Sequence, residues 1–209
     1  MAERQPLVVL DAMGVLYDVG PGGDDVANLL IPYLRGLGCS LVDKQIYDLH
    51  HRASLGEMTS YEFWAACSVV RSDQIYCSYH ELTQGIVPWL VGLRDRGLAL
   101  ACLSNDVSEW SLLLRRRFGL DGIIDTWVIS GDIGVRKPDP RAFAAVGEAT
   151  GVPAQDTIFI DDRPANVDAA RATGMRAVRF ESVQQARTLL DVEPGSSMGH
   201  RAAQDPAGF

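Results

Sequence analysis

The 209-residue sequence is poor in lysine. Only Lys44 and Lys137 occur, and arginine supplies the rest of the 19 basic residues. Acidic residues number 27, which leaves a formal net charge of -8. A surface of that sign repels nucleic-acid phosphates and anionic lipid, so neither nucleic acid nor a membrane is an expected partner. Long apolar runs are missing as well. Mean hydropathy is +0.02, and no apolar stretch approaches the ~20 residues that a membrane-spanning helix needs. The apolar stretch near the amino end is short and runs straight into Asp11, unlike a signal peptide. A cytoplasmic location is the expectation. Cysteine is scarce too. Cys39, Cys67, Cys77 and Cys102 form no CxxC pair and lack zinc-site spacing, so buried reduced thiols are expected.

What is present suits a packed domain. Hydrophobic residues make up 47% of the chain, enough for a sizeable core at this length. Residues 7–10 form a short apolar run of buried-strand length, with Asp11 at its carboxyl end. Residues 17–86 then carry helical patterns and turn signals, with no convincing strand. One helix follows Asp24 or Asp25, with Pro32 placed to disturb it. A second starts at Asp43, and a third follows Thr59, whose spacing to Glu62 suits a capping box. From residue 88 the pattern alternates. Strands are expected at 98–103, 126–130, 157–160 and 176–180, and helices at 88–96, 106–118, 140–150, 164–173 and 182–190. The arginines at 115–117 suit the last turn of a helix.

Such alternation predicts an α/β fold: a Rossmann-like parallel sheet core with a small helical cap inserted after the first strand. Residues 1–16 and 87–192 are assigned to the core, 17–86 to the cap and 193–209 to a Gly-, Ser- and Pro-rich tail. Ligands of open α/β sheets bind beyond the carboxyl ends of the strands. Asp11, Ser104 and Asp161 each stand at such an end, so three polar residues converge on one crevice.

Each has chemistry to offer there. The Asp11 carboxylate suits a nucleophile or a metal ligand. Ser104-Asn105-Asp106 is expected to open a helix, where backbone N–H groups and the Ser104 hydroxyl suit a phosphate oxygen. Lys137 precedes a helix capped by Asp139, as a compact positive charge for a phosphoryl group. Asp161 and Asp162 are adjacent carboxylates, which repel unless a cation lies between them, and hard oxygen ligands suit Mg²⁺. Taken singly, the Asp and Ser residues are also ordinary helix caps and the Lys an ordinary surface residue.

Order and spacing together change that. Asp11, Ser104, Lys137 and the Asp161-Asp162 pair match the four motifs of the haloacid dehalogenase superfamily, which the chain resembles over nearly its whole length up to the tail. The run from Ile160 to Val167 is especially close to its phosphatase-like members. Residues 55–64 resemble the cap segment of its sugar-phosphate-phosphatase-like branch. The resemblance implies a Mg²⁺-dependent hydrolase acting on a small phosphorylated molecule through an aspartyl-phosphate at Asp11. It implies Mg²⁺ held by Asp11, the Met13 backbone carbonyl and Asp161. Asp162 would orient a metal-bound water or the lysine. Lys137 and Ser104, with Asn105 beside it, would hold the phosphoryl oxygens.

One position departs from the family. Its phosphatases carry a second Asp two residues after the nucleophile, which protonates the leaving group. Met13 stands there. A thioether transfers no proton, and such help contributes on the order of 10²–10⁴-fold. Four readings follow: a substrate whose leaving group needs no proton; a proton supplied by substrate or by a cap residue such as His50, His51 or Glu57; a dehalogenase; or a binding or scaffold protein without turnover.

Overall fold

The computed structural model describes residues 6–70 and 72–191. The expected tail at 193–209 lies outside the described residues. Five parallel strands form the main sheet: β1 (Leu7–Leu10), β4 (Ala99–Ser104), β5 (Thr126–Ile129), β6 (Thr157–Asp161) and β7 (Arg176–Arg179), in the order β5-β4-β1-β6-β7. In register, Val9 pairs with Ala101 on one side and Phe159 on the other. The expected α/β Rossmann-like sheet is therefore present. Because β4 and β6 flank β1, Asp11, Ser104 and Asp161 end up at neighbouring strand ends, about 5 Å apart laterally.

Every residue of β1 is buried, as a central parallel strand must be. Its side chains alternate between two cores. Leu7 and Val9 join Phe143 and Val146 of α8 (Pro140–Thr150) and Ala170 of α9 (Pro164–Ala172). Val8 and Leu10 join Trp89 and Leu90 of α5 (Ile86–Asp95), Trp110 of α6 (Ser108–Arg117) and Ala186 of α10 (Val183–Asp191). The arginines at 115–117 do close α6. All four cysteines are buried and unpaired. Among the described residues no helix is long and apolar enough to cross a membrane.

Between β1 and β4 the chain makes α1 (Ile31–Gly36), α2 (Asp43–Ala53), α3 (Ser60–Ala66) and α4 (Asp73–Ser78). Thr59 and Glu62 form the expected capping box. Pro32 has no N–H to offer Asn28, and the backbone before it widens to a π-turn over Val26–Leu30, with the Ile31 N–H donating to Val26 O. These helices do not pack apart from the sheet. Phe63, Trp64 and Tyr76 share one continuous core with Trp110 and Leu10. Both indole N–H groups, of Trp64 and Trp110, donate to Asp73 Oδ1 at 2.6 and 2.8 Å.

Two expectations are corrected here. The segment read as wholly helical also contains strands: β2 (Tyr17–Asp18) pairs antiparallel with β3 (Glu81–Leu82) where the chain leaves and re-enters the core. Strands of two residues are too short to show an alternating pattern. The helix expected from Asp106 instead begins at Ser108, after Val107 as cap. Asp106 is held outside it. Its Oδ1 accepts the Val107 N–H at 2.7 Å, and its own N–H donates to Ser130 Oγ at 3.1 Å. Ser104 and Asn105 therefore do not sit at a helix N-terminus. The short helices α4 and α7 (Ser130–Ile133) carry too few turns to announce themselves by periodicity.

Candidate active site

The site starts where β1 ends. After Asp11 the chain turns tightly, with the Leu16 and Tyr17 N–H groups both donating to Ala12 O. Gly14 takes φ of +90° in this turn, and a Cβ there would lie 2.6 Å from Asp162 Oδ2. A side chain at Gly23 would likewise collide with that oxygen. Both positions need glycine because the Asp162 carboxylate passes between them.

Lys137 lies at the centre. Its Nζ is 2.7 Å from Asp11 Oδ1 and 2.8 Å from Asp161 Oδ2, and the whole side chain is buried. Asn105 fixes it in place: the Asn105 amide donates to Lys137 O and accepts from Lys137 N, both at 2.8 Å. Asp161 is fixed as firmly. Its Oδ1 accepts the Arg163 N–H at 2.8 Å, and the Asn166 amide donates to both carboxylate oxygens at 3.1 and 3.0 Å.

Asp11, Asp161 and Asp162 each present an oxygen within 4.8 Å of the others. One lysine stands among three carboxylates, so the group is short of positive charge. Burial pushes Asp11 up to about 8; Lys137 pulls it down, while Asp161 and Asp162 add to the rise. Asp162 is raised by burial and by Asp161, and its Oδ1 is buried without a partner. A hard divalent cation would satisfy both the charge and the orphaned oxygen. Ser104 Oγ, at the end of β4, is also buried without a hydrogen-bond partner.

A cleft of about 290 Å³ opens above Asp11, Asn105 and Lys137. Met13 forms part of its wall, nearly buried. Of the residues expected at the site, Asp11, Met13, Asn105 and Lys137 line this cleft, Asp161 lies beneath it, and Ser104 is enclosed at its strand end. Asp162 faces a second opening with Gly14, Gly20 and Gly23. His50 and His51 reach the cleft from α2; Glu57 does not, being exposed and paired with Arg52 at 3.3 Å. Tyr17 and Trp64 are core residues.

The profile of the haloacid dehalogenase-like hydrolases matches residues 6–174. The chain belongs to that family. Its sequence is 37% identical over 147 residues to Phosphatase MT3486 of Mycobacterium tuberculosis, covering 68% of this chain and 65% of that protein. It is 32% identical over 109 residues to a phosphoglycolate phosphatase of Pseudomonas fluorescens, covering 50% of this chain and 40% of that one. The chain thus spans less than two thirds of the length of either relative. The fold matches the haloacid dehalogenase-family enzyme bt-2542 of Bacteroides thetaiotaomicron, solved as a magnesium complex, with a TM-score of 0.75 at 19% identity over 88% of this chain and 98% of that one.

In this haloacid dehalogenase-like site several residues escaped the sequence. Asn166 stands five positions after Asp161, and nothing in the spacing marks it as that carboxylate's clamp. Arg136, Arg163, Asp24, Asp25 and Tyr47 all line the cleft. Arg136 and Arg163 each neighbour a motif residue, and that adjacency was the available signal. Asp25 and Tyr47 come from the helical insertion, whose approach to the sheet no local pattern encodes.

Proposed function

We propose that this chain is a Mg²⁺-dependent phosphohydrolase of small phosphorylated metabolites, working through an aspartyl-phosphate at Asp11. The observation that carries the reading is the buried Lys137 ammonium bridging Asp11 and Asp161, with Asp162 closing a three-carboxylate cluster. Such a cluster suits a hard cation, which displacement of a halide from a haloacid does not need. The relatives named as phosphatases support the same class. A cleft of about 290 Å³ suits a small molecule.

Asp11, Asp161, Asp162 and the Met13 carbonyl are the residues to hold Mg²⁺. When bound, the ion neutralises phosphoryl charge. Asp11 then supplies the attacking oxygen, and its hydrogen bond from the Ala12 N–H at 2.7 Å fixes the carboxylate's rotation. Lys137 offsets charge on the phosphoryl oxygens, and the orphaned Ser104 Oγ supplies a hydrogen bond to one of them. Asn105 acts on Lys137 rather than on substrate. The 17–86 segment serves as a cap that selects the leaving group.

The test uses p-nitrophenyl phosphate and acetyl phosphate with Mg²⁺. Turnover should need the metal and vanish in Asp11→Asn. Mg²⁺ and phosphate binding without turnover would instead identify a binding protein.

A further inference from the structure

The proposed reaction leaves one proton without a carrier. An alcohol departs from a phosphate ester as a neutral molecule only if its oxygen gains a proton, and Met13 has none to give. Apart from Asp11, Lys137 and the arginines, six titratable side chains line the cleft: Asp24, Asp25, Tyr47, Asp48, His50 and His51.

Most are committed or unsuited. Asp24 uses Oδ1 to accept the Ala27 N–H at 3.0 Å and Oδ2 to accept the Tyr47 hydroxyl at 2.7 Å. Tyr47 is pushed up to about 12, so it releases its proton poorly. Asp48 is exposed and paired with Lys44 at 2.7 Å. His50 is buried and stacked on Trp110; burial, then Arg136, pushes it down to about 3, so it carries no acidic proton near neutral pH. His51 stands exposed at the rim.

Asp25 is different. It opens the helical insertion, lines the cleft that Asp11 and Met13 also line, and is 8% exposed. Its nearest cation is Arg163, whose Nη2 lies 4.0 Å from Asp25 Oδ1, too far for a hydrogen bond. Arg163 also ties Asp25 to the reacting centre. Its Nη2 donates to Gly23 O at 2.9 Å, while its main-chain N–H donates to Asp161.

We propose that Asp25 is the general acid–base of this site, replacing from the insertion the function that Met13 lacks. The assignment rests on the phosphohydrolase reading above. As Asp11 Oδ bonds to phosphorus and the ester P–O bond breaks, the Asp25 carboxyl passes its proton to the departing oxygen. The alcohol leaves and Asp25 becomes a carboxylate. It then takes a proton from water as that water's oxygen bonds to phosphorus. The P–O bond to Asp11 breaks, releasing hydrogen phosphate and restoring the Asp11 carboxylate and the Asp25 acid.

The surroundings of Asp25 suit a group that starts protonated. Burial and Asp24 raise its proton affinity, against Arg163 and His80. Asp106 and Tyr76 face the same region, as does Arg136, half-buried beside Lys137.

The experiment compares kcat/KM on glycerol 2-phosphate, whose alkoxide leaves poorly, and p-nitrophenyl phosphate, whose phenolate leaves well. Wild type, Asp25→Asn, Asp25→Glu and Asp25→Asn/Met13→Asp are each assayed with Mg²⁺ after their folding is checked by circular dichroism. Asp25→Asn should lower the alkyl rate about 10²-fold or more, and by at least tenfold more than the aryl rate. Asp25→Glu should keep a larger part of the alkyl rate than Asn does, and Met13→Asp should restore part of it. The basic limb of the wild-type pH profile on the alkyl ester should disappear in Asp25→Asn. Equal losses on both esters, or no loss on either, would overturn the assignment. Turnover of acetyl phosphate with none of either ester would overturn Asp25's role alone. Wild type inactive on all three compounds, or turnover unchanged in Asp11→Asn, would overturn the phosphohydrolase reading itself and Asp25's role with it.

Discussion

Asn105 grips Lys137 by both edges of its amide, donating to the lysine carbonyl and accepting from the lysine N–H at 2.8 Å each. The side chain of Asn105 therefore sets where the ammonium arrives between Asp11 and Asp161. Asn105→Ala should leave Lys137 in the chain but loosen its main chain. Each lost hydrogen bond costs on the order of 1 kcal/mol in stability. Turnover should fall about 10–100-fold, mainly in kcat, because the ammonium's match to the transition state suffers more than ground-state binding. Steady-state kinetics with a melting curve decide it; unchanged kcat would mean that Lys137 is placed without this amide.

Lys137→Met removes the only lysine among three carboxylates. A buried pair broken on one side costs about 3–5 kcal/mol. The metal-free variant should melt well below wild type, and Mg²⁺ should raise its melting temperature by a larger increment than it raises that of wild type. Thermal melts with and without the ion test this. Equal increments would show that ion and ammonium do not share the same charge deficit.

Gly14→Ala places a Cβ 2.6 Å from Asp162 Oδ2 at φ of +90°. The left-handed backbone alone costs about 1–2 kcal/mol. The carboxylate must also move aside, so Mg²⁺ affinity measured by calorimetry should fall at least several-fold. A control at Gly22, where a Cβ meets nothing despite φ of +78°, should show the backbone cost without the metal effect.

Asp106, outside the carboxylate cluster, gives a pH signature of its own. Burial is the largest cause that raises its carboxyl well above 3.8, and its Oδ2 has no hydrogen-bond partner. The folded chain keeps a proton there that the unfolded chain has released. Stability is therefore lost as pH rises above the unfolded value near 4, at up to about 1.4 kcal/mol per pH unit. Asp106→Asn keeps an acceptor for the Val107 N–H and abolishes this slope. Denaturation at pH 5, 6.5 and 8 should show the variant gaining on wild type as pH rises; parallel curves would contradict it.

The sheet was legible because β1, β4 and β6 are short apolar runs ended by polar residues, and Gly or Pro punctuates the helices between them. Asp139 before Pro140, and Gly151 after the same helix, marked α8 at both ends. The site was legible at the strand ends and, through the order of the family's motifs, at Lys137. Asp11, Asp161 and Lys137 do meet as expected. Asp25 and Tyr47 reach the cleft through a long-range docking that periodicity cannot carry. Asn166 and Asn105 act on other site residues by hydrogen bonds, and a hydrogen bond leaves no trace in spacing. The helix expected at Asp106 was misplaced because Asp is a good cap in either setting; here its partners come from Val107 and Ser130 instead.

The β2–β3 pair joins residues 17–18 to 81–82, so the two ends of the insertion meet at one point on the molecule. On geometry alone the segment between them looks exchangeable for a short turn. Asp73 argues otherwise. Its carboxylate takes an indole N–H from the insertion and another from α6, and Trp110 packs against Phe63, Trp64 and Tyr76. Deleting the segment would strand that indole in water and strip the face of α6 it rests on. The two parts should therefore melt in one calorimetric transition. A graft of a different insertion onto this sheet would need a redesigned α6 to go with it.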